Sequence, residues 1–484
     1  MHKRLIIKIL GLLLMVYSLT LIPPILIGIY YQDGAIDSFA KVMAMTLLLG
    51  TILWYPLRHH KRDLKIRDGI IIVVMFWAGL GAVGSLPLYM EGKHILSLTH
   101  AMFESFSGLT TTGATVMTHL DQMPHAILWY RQQTQWLGGM GLIVLAVAIL
   151  PMLGIGGMQL YRAEMPGPMK DAKLAPRISE TAKALWLIYL GLTVICALAF
   201  KLAGMNWFDA IGHSFSTIAL GGFSTHDASL SYFHNVNIEV IAIIFMFISG
   251  INFSLHFTAF RNLSVMHYFH DPEYRLYTLI MTVGMVLTSL YLYHSGTYHS
   301  LAEAFRYGSF MAMSIGTTTG FGNADVSVWP AFPLVLIIFM SIIGGSAGST
   351  GGGVKVIRFL LLFKQGIREL HRLLHPNAIS PVKLNNRAIP ERVSTAVWGF
   401  FSIYVATFAF IMLLLLATGM DQITAFSSVA ATITNSSFGI GDVLTKGYAD
   451  MSNVQLWILI VSMVLGRLEI LTLLVMLTRA FWRK

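Results

Sequence analysis

Cysteine is nearly missing from this chain: Cys196 is the single example in 484 residues. An intrachain disulfide and a cysteine-rich metal cluster are therefore excluded. Charge is scarce too. Asp, Glu, Lys and Arg supply 12% of the residues, about half the share of a soluble protein, which excludes an ordinary cytosolic enzyme. Disorder is excluded by the 55% hydrophobic content, because a disordered chain needs low hydrophobicity and high charge. Neither a Ser-His-Asp set nor a His-Glu-x-x-His string is legible, so a membrane-embedded hydrolase has no catalytic constellation. His267 with His270 and His371 with His375 have helix-face spacing but no acid or cysteine beside them, and read as solvated loop histidines rather than metal ligands.

What is abundant is apolar length. About 20 mostly apolar residues cross a bilayer as a helix, and ten stretches qualify: 5–30, 39–56, 69–90, 129–153, 184–202, 238–260, 276–293, 332–363, 397–416 and 454–481. The first begins with basic residues but is too long for a signal peptide and lacks a small-residue cleavage site, so it reads as a retained span. The net charge of +10 is placed by topology. Lys3, Arg4 and Lys8 open the chain; Arg58, Lys61, Arg62, Lys65 and Arg67 fill the second connection. Arg162, Lys170, Lys173 and Arg177 lie in the fourth, Lys364, Arg368, Arg372, Lys383, Arg387 and Arg392 in the eighth, and Arg479, Arg483 and Lys484 at the end. Ten crossings put all of these on one side, which the positive-inside rule makes cytoplasmic, with both termini. A nucleic-acid surface is not needed to explain them.

Beyond two N-terminal spans in residues 1–57, the chain reads as four repeats of span, short amphipathic helix, polar loop and span, at 69–154, 181–260, 274–363 and 394–481. The loops centre on Thr111-Thr112-Gly113-Ala114, Leu220-Gly221-Gly222-Phe223, Thr318-Thr319-Gly320-Phe321 and Asn435-Ser436-Ser437-Phe438. Intervals of 109, 98 and 117 residues separate Gly113, Gly222, Gly320 and Ser437. Non-helical backbone survives at membrane depth only when buried in protein or lining a cavity. Four such loops on one axis can present carbonyls that replace the hydration shell of a cation. Glycine there gives access to positive φ without a Cβ penalty. Helix packing is the other use of Gly and Thr in membranes, but recurrence at matched positions favours the pore. The fold class expected is thus an all-α polytopic membrane protein with about ten transmembrane helices in a pseudo-fourfold arrangement.

Two features lie beyond the loops. Gly344, Gly345, Gly348, Gly351, Gly352 and Gly353 crowd ten positions of an otherwise apolar span. Each costs a helix about 1 kcal/mol relative to Ala, so the span should unwind there. Val354-Lys355-Val356 follows in place of a Walker Gly-Lys-Ser/Thr, which rules out a phosphate loop. The second is Arg467, which aligns with Gly139 and Gly345 of two other repeats. An ionisable residue inside a span is a functional hypothesis by default: a barrier beside the cation path, or a tie to loop carbonyls that holds repeats together. Glu469, two residues on, points elsewhere on a helix and is a poor partner for it.

Thr-Thr-Gly-Ala-Thr at 111–115, Gly-Gly-Phe-Ser-Thr-His-Asp at 221–227, the glycine-rich run 344–353 and Gly-Arg-Leu-Glu at 466–469 give the chain a resemblance to the Trk/Ktr/HKT superfamily of potassium uptake proteins. The similarity is to its bacterial Trk (TrkH-like) membrane-subunit branch, and it covers essentially the whole length. It implies K⁺ entry through a pore within one chain of the bacterial inner membrane, and a homodimer. It also implies a cytoplasmic TrkA-like subunit as the sole carrier of nucleotide (NAD or ATP class), with no covalent cofactor. The glycine run would then be an intramembrane loop obstructing the pore, and the basic 364–392 connection a docking or lipid-facing segment. Ser437 departs from the glycine pattern; either it lines the ring or a two-residue slip puts Gly439 there. Channel-like K⁺ uptake leads. A Na⁺-permeable or H⁺/Na⁺-coupled symporter on the same scaffold stays open.

Overall fold

A computed structural model describes residues 2–60, 66–91, 96–141, 178–376, 381–385 and 387–483. Residues 142–153 of the fourth apolar stretch, and the basic residues Lys61, Arg62, Lys65, Arg162, Lys170, Lys173, Arg177 and Lys484, lie outside the described residues.

The first span is α1 (Lys3–Thr20) continued by α2 (Ile22–Tyr31), and the second is α3 (Ile36–Trp54). Pro23 and Pro24 open α2, where a missing N–H costs nothing. Backbones of α1 and α3 touch at two glycines: a Cβ on Gly11 would sit 2.8 Å from the Gly50 carbonyl oxygen, and one on Gly50 2.7 Å from that of Gly11. Small residues permit this approach between apolar helices.

Four units follow. The first holds α4 (Ile66–Glu91), the half-length α5 (Leu98–Leu109) and α6 (His125–Gly139). In the second, α7 (Ile178–Leu202) and α8 (Trp207–Ala219) precede α9 (Val236–Ser249) and α10 (Phe253–Arg261). The third has α11 (Pro272–His294), α12 (Leu301–Gly316), α13 (Ala331–Ile343) and α14 (Val356–Leu374). The fourth has α15 (Glu391–Ala417), α16 (Gln422–Ile433), α17 (Asn453–Arg467) and α18 (Leu471–Leu477). The half-length helices start on polar caps: Ser97, Asn206 and Asp421 each accept a backbone N–H of the first turn.

Two stretches expected as single spans are sharply bent. Between α9 and α10 the chain turns by 91°, and between α17 and α18 by 112°. At the first bend a Cβ on Gly250 would lie 2.2 Å from the Tyr277 hydroxyl, and Asn252 caps the new helix through Ser254 N–H at 2.8 Å. At the second, Glu469 and Ile470 take left-handed φ of 54° and 43°, and Ile470 N–H returns to Leu465 O at 2.8 Å. The third unit also breaks, over the glycines between α13 and α14. One short antiparallel hairpin, Lys383–Leu384 against Arg387–Ala388, is an exception to the helical rule.

Burial departs from that of a soluble protein: beside an apolar core lie many enclosed polar side chains, and apolar ones face outward. Polar Ser107, Thr111, Ser214, Thr217, Ser314, Thr318, Ser428 and Thr432 are fully buried, whereas Leu48, Ile52, Phe410 and Leu413 on the outer faces of α3 and α15 are exposed. An apolar exterior around a polar, irregular centre suits lipid outside and buried loops within. The chain is a multi-pass α-helical membrane protein.

Candidate ion pathway

All four half-length helices end alike. A residue two or three positions past each end returns its N–H to the carbonyl five residues back: Thr112 to Ser107, Gly221 to Ser216, Thr319 to Ser314 and Ser436 to Ala431, each at 2.8 Å. That 6→1 closure requires a left-handed residue just before it. Here it is Thr111, Leu220, Thr318 and Asn435, with φ of 56°, 53°, 66° and 55°. None is glycine, so each carries the cost of a Cβ in this region, about 1–2 kcal/mol. The next left-handed position, two residues on, is Gly113, Gly222, Gly320 and Ser437, with φ of 78°, 78°, 92° and 59°. The dihedrals put Ser437 in register with the three glycines. Gly439 instead faces Val443, 2.6 Å from where its Cβ would be.

The loops meet in a ring. A Cβ on Gly113 would lie 2.0 Å from Gly221 O, one on Gly222 2.0 Å from Thr319 O, and one on Gly320 2.1 Å from the Ser437 hydroxyl. Asn435 Nδ2 closes the circuit, donating to Thr112 Oγ1 at 2.9 Å. Ala114, Phe223 and Phe321 are buried behind it and Phe438 is partly buried. Among the described residues the carbonyl oxygens of Gly113, Gly222 and Gly320 accept no hydrogen bond, whereas that of Ser437 accepts one from the Tyr448 hydroxyl at 2.9 Å.

Ion pairs with a buried carboxylate hold the segments beside the loops. Arg131 Nε meets Glu104 Oε1 at 2.7 Å, both side chains essentially inaccessible, and Glu104 also accepts Val116 N–H at 3.0 Å. Arg306 donates twice to Glu239, at 2.9 and 2.6 Å, and Asn323 Nδ2 joins at 3.1 Å. A buried charge persists only with such company. His226, just past the second loop, pairs with Asp121 and, at 3.4 Å, with Asp209.

The glycine run is a loop packed against the last turns of the half-length helices. Gly352 N–H donates to Thr318 Oγ1 at 2.8 Å, Gly353 N–H to Thr434 O at 3.1 Å, and Thr350 Oγ1 to Ile218 O at 2.9 Å. A Cβ on Gly351 would lie 2.9 Å from Thr317 O, and one on Gly352 1.8 Å from Thr434 O. Gly344, Gly348 and Gly353 have φ of 73°, 74° and 79°. Gly345 Cβ would sit 3.1 Å from Gly250 O, and Ser346 N–H bonds that carbonyl at 2.8 Å. Arg467 reaches from the fourth unit: Nη1 to Thr350 O at 3.0 Å and Thr111 Oγ1 at 3.1 Å, Nη2 to Gly138 O at 2.7 Å and Gly139 O at 3.3 Å. Its guanidinium also stands over Trp77, 5.5 Å from the ring centroid. Glu469 pairs with Arg358.

Several participants escape a reading of the sequence. Lys355, buried, donates to Gly351 O. Glu273 accepts Ala347 N–H at 2.7 Å and Ile357 N–H at 3.2 Å, clasping both ends of the loop. A lysine and a glutamate next to apolar runs were the available signals. Gln135 and Tyr448 carried none.

Four inward helices, a ring of loop backbone and an apolar exterior define a membrane protein of the ion-transport class. The chain matches the TrkH family, described as a cation transport protein, over residues 35–483. Across the full length of both chains it is 53% identical to the Trk system potassium uptake protein TrkH of Escherichia coli K12. It is 38% identical to that organism's TrkG over 100% of this chain and 99% of the relative. The crystal structure of the potassium transporter TrkH from Vibrio parahaemolyticus superposes with a TM-score of 0.91 at 51% identity, covering all of both chains. The chain belongs to the TrkH family of cation transport proteins.

Proposed function

We propose that the chain carries K⁺ into the cell along the axis between its four loops, as a channel-like conductor of the bacterial inner membrane. The observation that carries this reading is the fourfold recurrence of left-handed pairs at the helix ends, which leaves glycine carbonyls unclaimed beside one another. Neutral dipoles so placed replace water around a cation, and each short helix adds the partial negative charge of its carbonyl end. The ring residues 111–114, 220–223, 318–321 and 435–438 hold K⁺. The 344–353 loop and Arg467 form the gate: the loop is packed beneath the ring by hydrogen bonds to three half-length helices, with a cation beside it. The chain works as a homodimer with a cytoplasmic nucleotide-binding subunit that shifts this loop, and both termini are cytoplasmic. Support for the partner comes from relatives named as members of a Trk system, and for orientation from the basic connections.

Reversal potentials of purified protein in liposomes test the reading. A potential that follows the K⁺ gradient alone is expected. One that shifts with H⁺ or Na⁺ gradients would establish coupled transport instead. Ser437 in the ring favours a second reading, appreciable Na⁺ permeation, which the same K⁺/Na⁺ measurement separates. Tags at position 62 and at the C-terminus should both report cytoplasm.

A further inference from the structure

We propose that Gln135 is a specificity-determining positioning residue: it fixes the peptides on both sides of Gly222 and so sets ion discrimination from outside the pathway. The inference rests on the reading of the four loops as a filter. Three of those loops stiffen themselves with a pair of hydroxyls two residues apart. Thr110 and Thr112 lie 2.8 Å apart, Thr317 and Thr319 2.8 Å, and Thr434 and Ser436 3.0 Å. At the matching places the second loop has Ala219 and Gly221, and no side chain of its own can make that tie.

A neighbouring helix supplies it. Gln135, on α6 of the first unit and 0% exposed, donates from Nε2 to Gly221 O at 2.6 Å and accepts Phe223 N–H on Oε1 at 3.0 Å. One planar amide thus grips the backbone before and after Gly222. Two neighbours on α6 continue the contact outward: Gln132 Nε2 reaches Phe223 O at 3.3 Å and Arg131 Nη1 reaches Ser224 O at 3.1 Å. Of the carbonyls from 221 to 224, three are claimed by α6, and that of Gly222 accepts no hydrogen bond among the described residues. The space is made for this amide, since a Cβ on Gly221 would lie 2.5 Å from Gln135 Cδ. Aligning Gly139 with Arg467 and with Gly345 puts Met463 and Ser341 at the equivalent places. Met463 has no amide, and Ser341 Oγ turns to Ile338 O of its own helix at 2.8 Å.

The test is the K⁺/Na⁺ permeability ratio in liposomes for Gln135→Met, Gln135→Asn, Gln133→Met and Gly320→Ala. Gln133 is the matched control: it lies on α6 but donates to Thr20 O, at 2.5 Å. Gln135→Met should lower the ratio about fivefold or more, as displaced coordinating groups lose far more than their contact energy. Gln135→Asn, a methylene short, should lower it less and carries the test if the methionine variant does not insert. Gln133→Met should leave it unchanged. A role in folding alone would depress K⁺ and Na⁺ flux in parallel at constant ratio, and that result would overturn the inference. A ratio changed by Gly320→Ala but not by either Gln135 variant would also overturn it while the filter reading stands. No change in any variant would remove the filter reading itself.

Discussion

Gly320 and Ser437 meet across the third and fourth loops: a Cβ added to Gly320 would lie 2.1 Å from the Ser437 hydroxyl oxygen. The serine occupies a left-handed position that three glycines fill elsewhere, and its φ of 59° falls short of their 78–92°. Its carbonyl already spends a lone pair on Tyr448. One quarter of the ring is therefore a weaker and differently shaped acceptor than the other three.

Ser437→Gly should for that reason raise the K⁺/Na⁺ permeability ratio, by about two- to fivefold on the scale of one improved polar contact. Tyr448→Phe, which releases the Ser437 carbonyl, should move the ratio as well. Bi-ionic reversal potentials read both. A fall in the ratio for Ser437→Gly would contradict the argument.

The gate reading puts weight on Arg467. Hydrogen bonds from its guanidinium join the glycine loop, through Thr350 O, to the first unit, through Thr111, Gly138 and Gly139. The barrier and the tie considered from sequence thus fall on one side chain. Arg467→Ala should raise basal K⁺ flux severalfold, since it removes a positive charge beside the path and one anchor of the loop. Arg467→Lys keeps the charge without the planar fork and should fall between. Basal flux that is unchanged or lower in inserted protein would leave Arg467 a packing role only.

A different outcome is expected behind the first loop. Arg131 and Glu104 are both fully enclosed, and removing one partner strands the other charge. Arg131→Met should cost about 3–5 kcal/mol and lower the unfolding temperature in detergent, whereas the double variant with Glu104→Gln should recover part of the loss. Equal melting of the single and double variants would show that the pair is not coupled.

The sequence discloses the repeat because apolar length and glycine spacing are written along the chain. Spans 184–202, 276–293 and 397–416 fall within continuous helices. The bends after Ser249 and Arg467 were not legible, because they depend on partners far away in sequence: the Tyr277 hydroxyl against Gly250, and Arg358 on Glu469. The same holds at the candidate site. Glycines in the loops announced positive φ, but Thr111, Leu220, Thr318 and Asn435 take it too, held there by helix-end hydrogen bonds that no propensity encodes. Gln135 looked like any polar residue on a helix until the second loop was folded against it.

The last expectation concerns pH beside the second loop. His226 stacks on Tyr232 with ring centroids 3.5 Å apart and ties the second loop to the first unit through Asp121. Burial pushes its pKa down, but hydrogen bonds and charge from Asp209 and Asp121 outweigh this and raise it above the ordinary value of 6.5. Asp227, whose N–H reaches Asp121 at 3.3 Å, and His213, with its ring centroid 6.5 Å away, complete the titratable surroundings. A raised histidine pKa means that the tie contributes fully below about pH 6.5 and is lost as pH climbs through the folded value. K⁺ flux, or the exchange protection of backbone amides at 225–230, should therefore decline as the solution bathing this loop is made alkaline. His226→Gln should flatten that profile by removing the titrating group. An alkaline decline that persists undiminished in His226→Gln would place the sensing group elsewhere, and a rise with pH in the wild type would contradict the sign of the linkage.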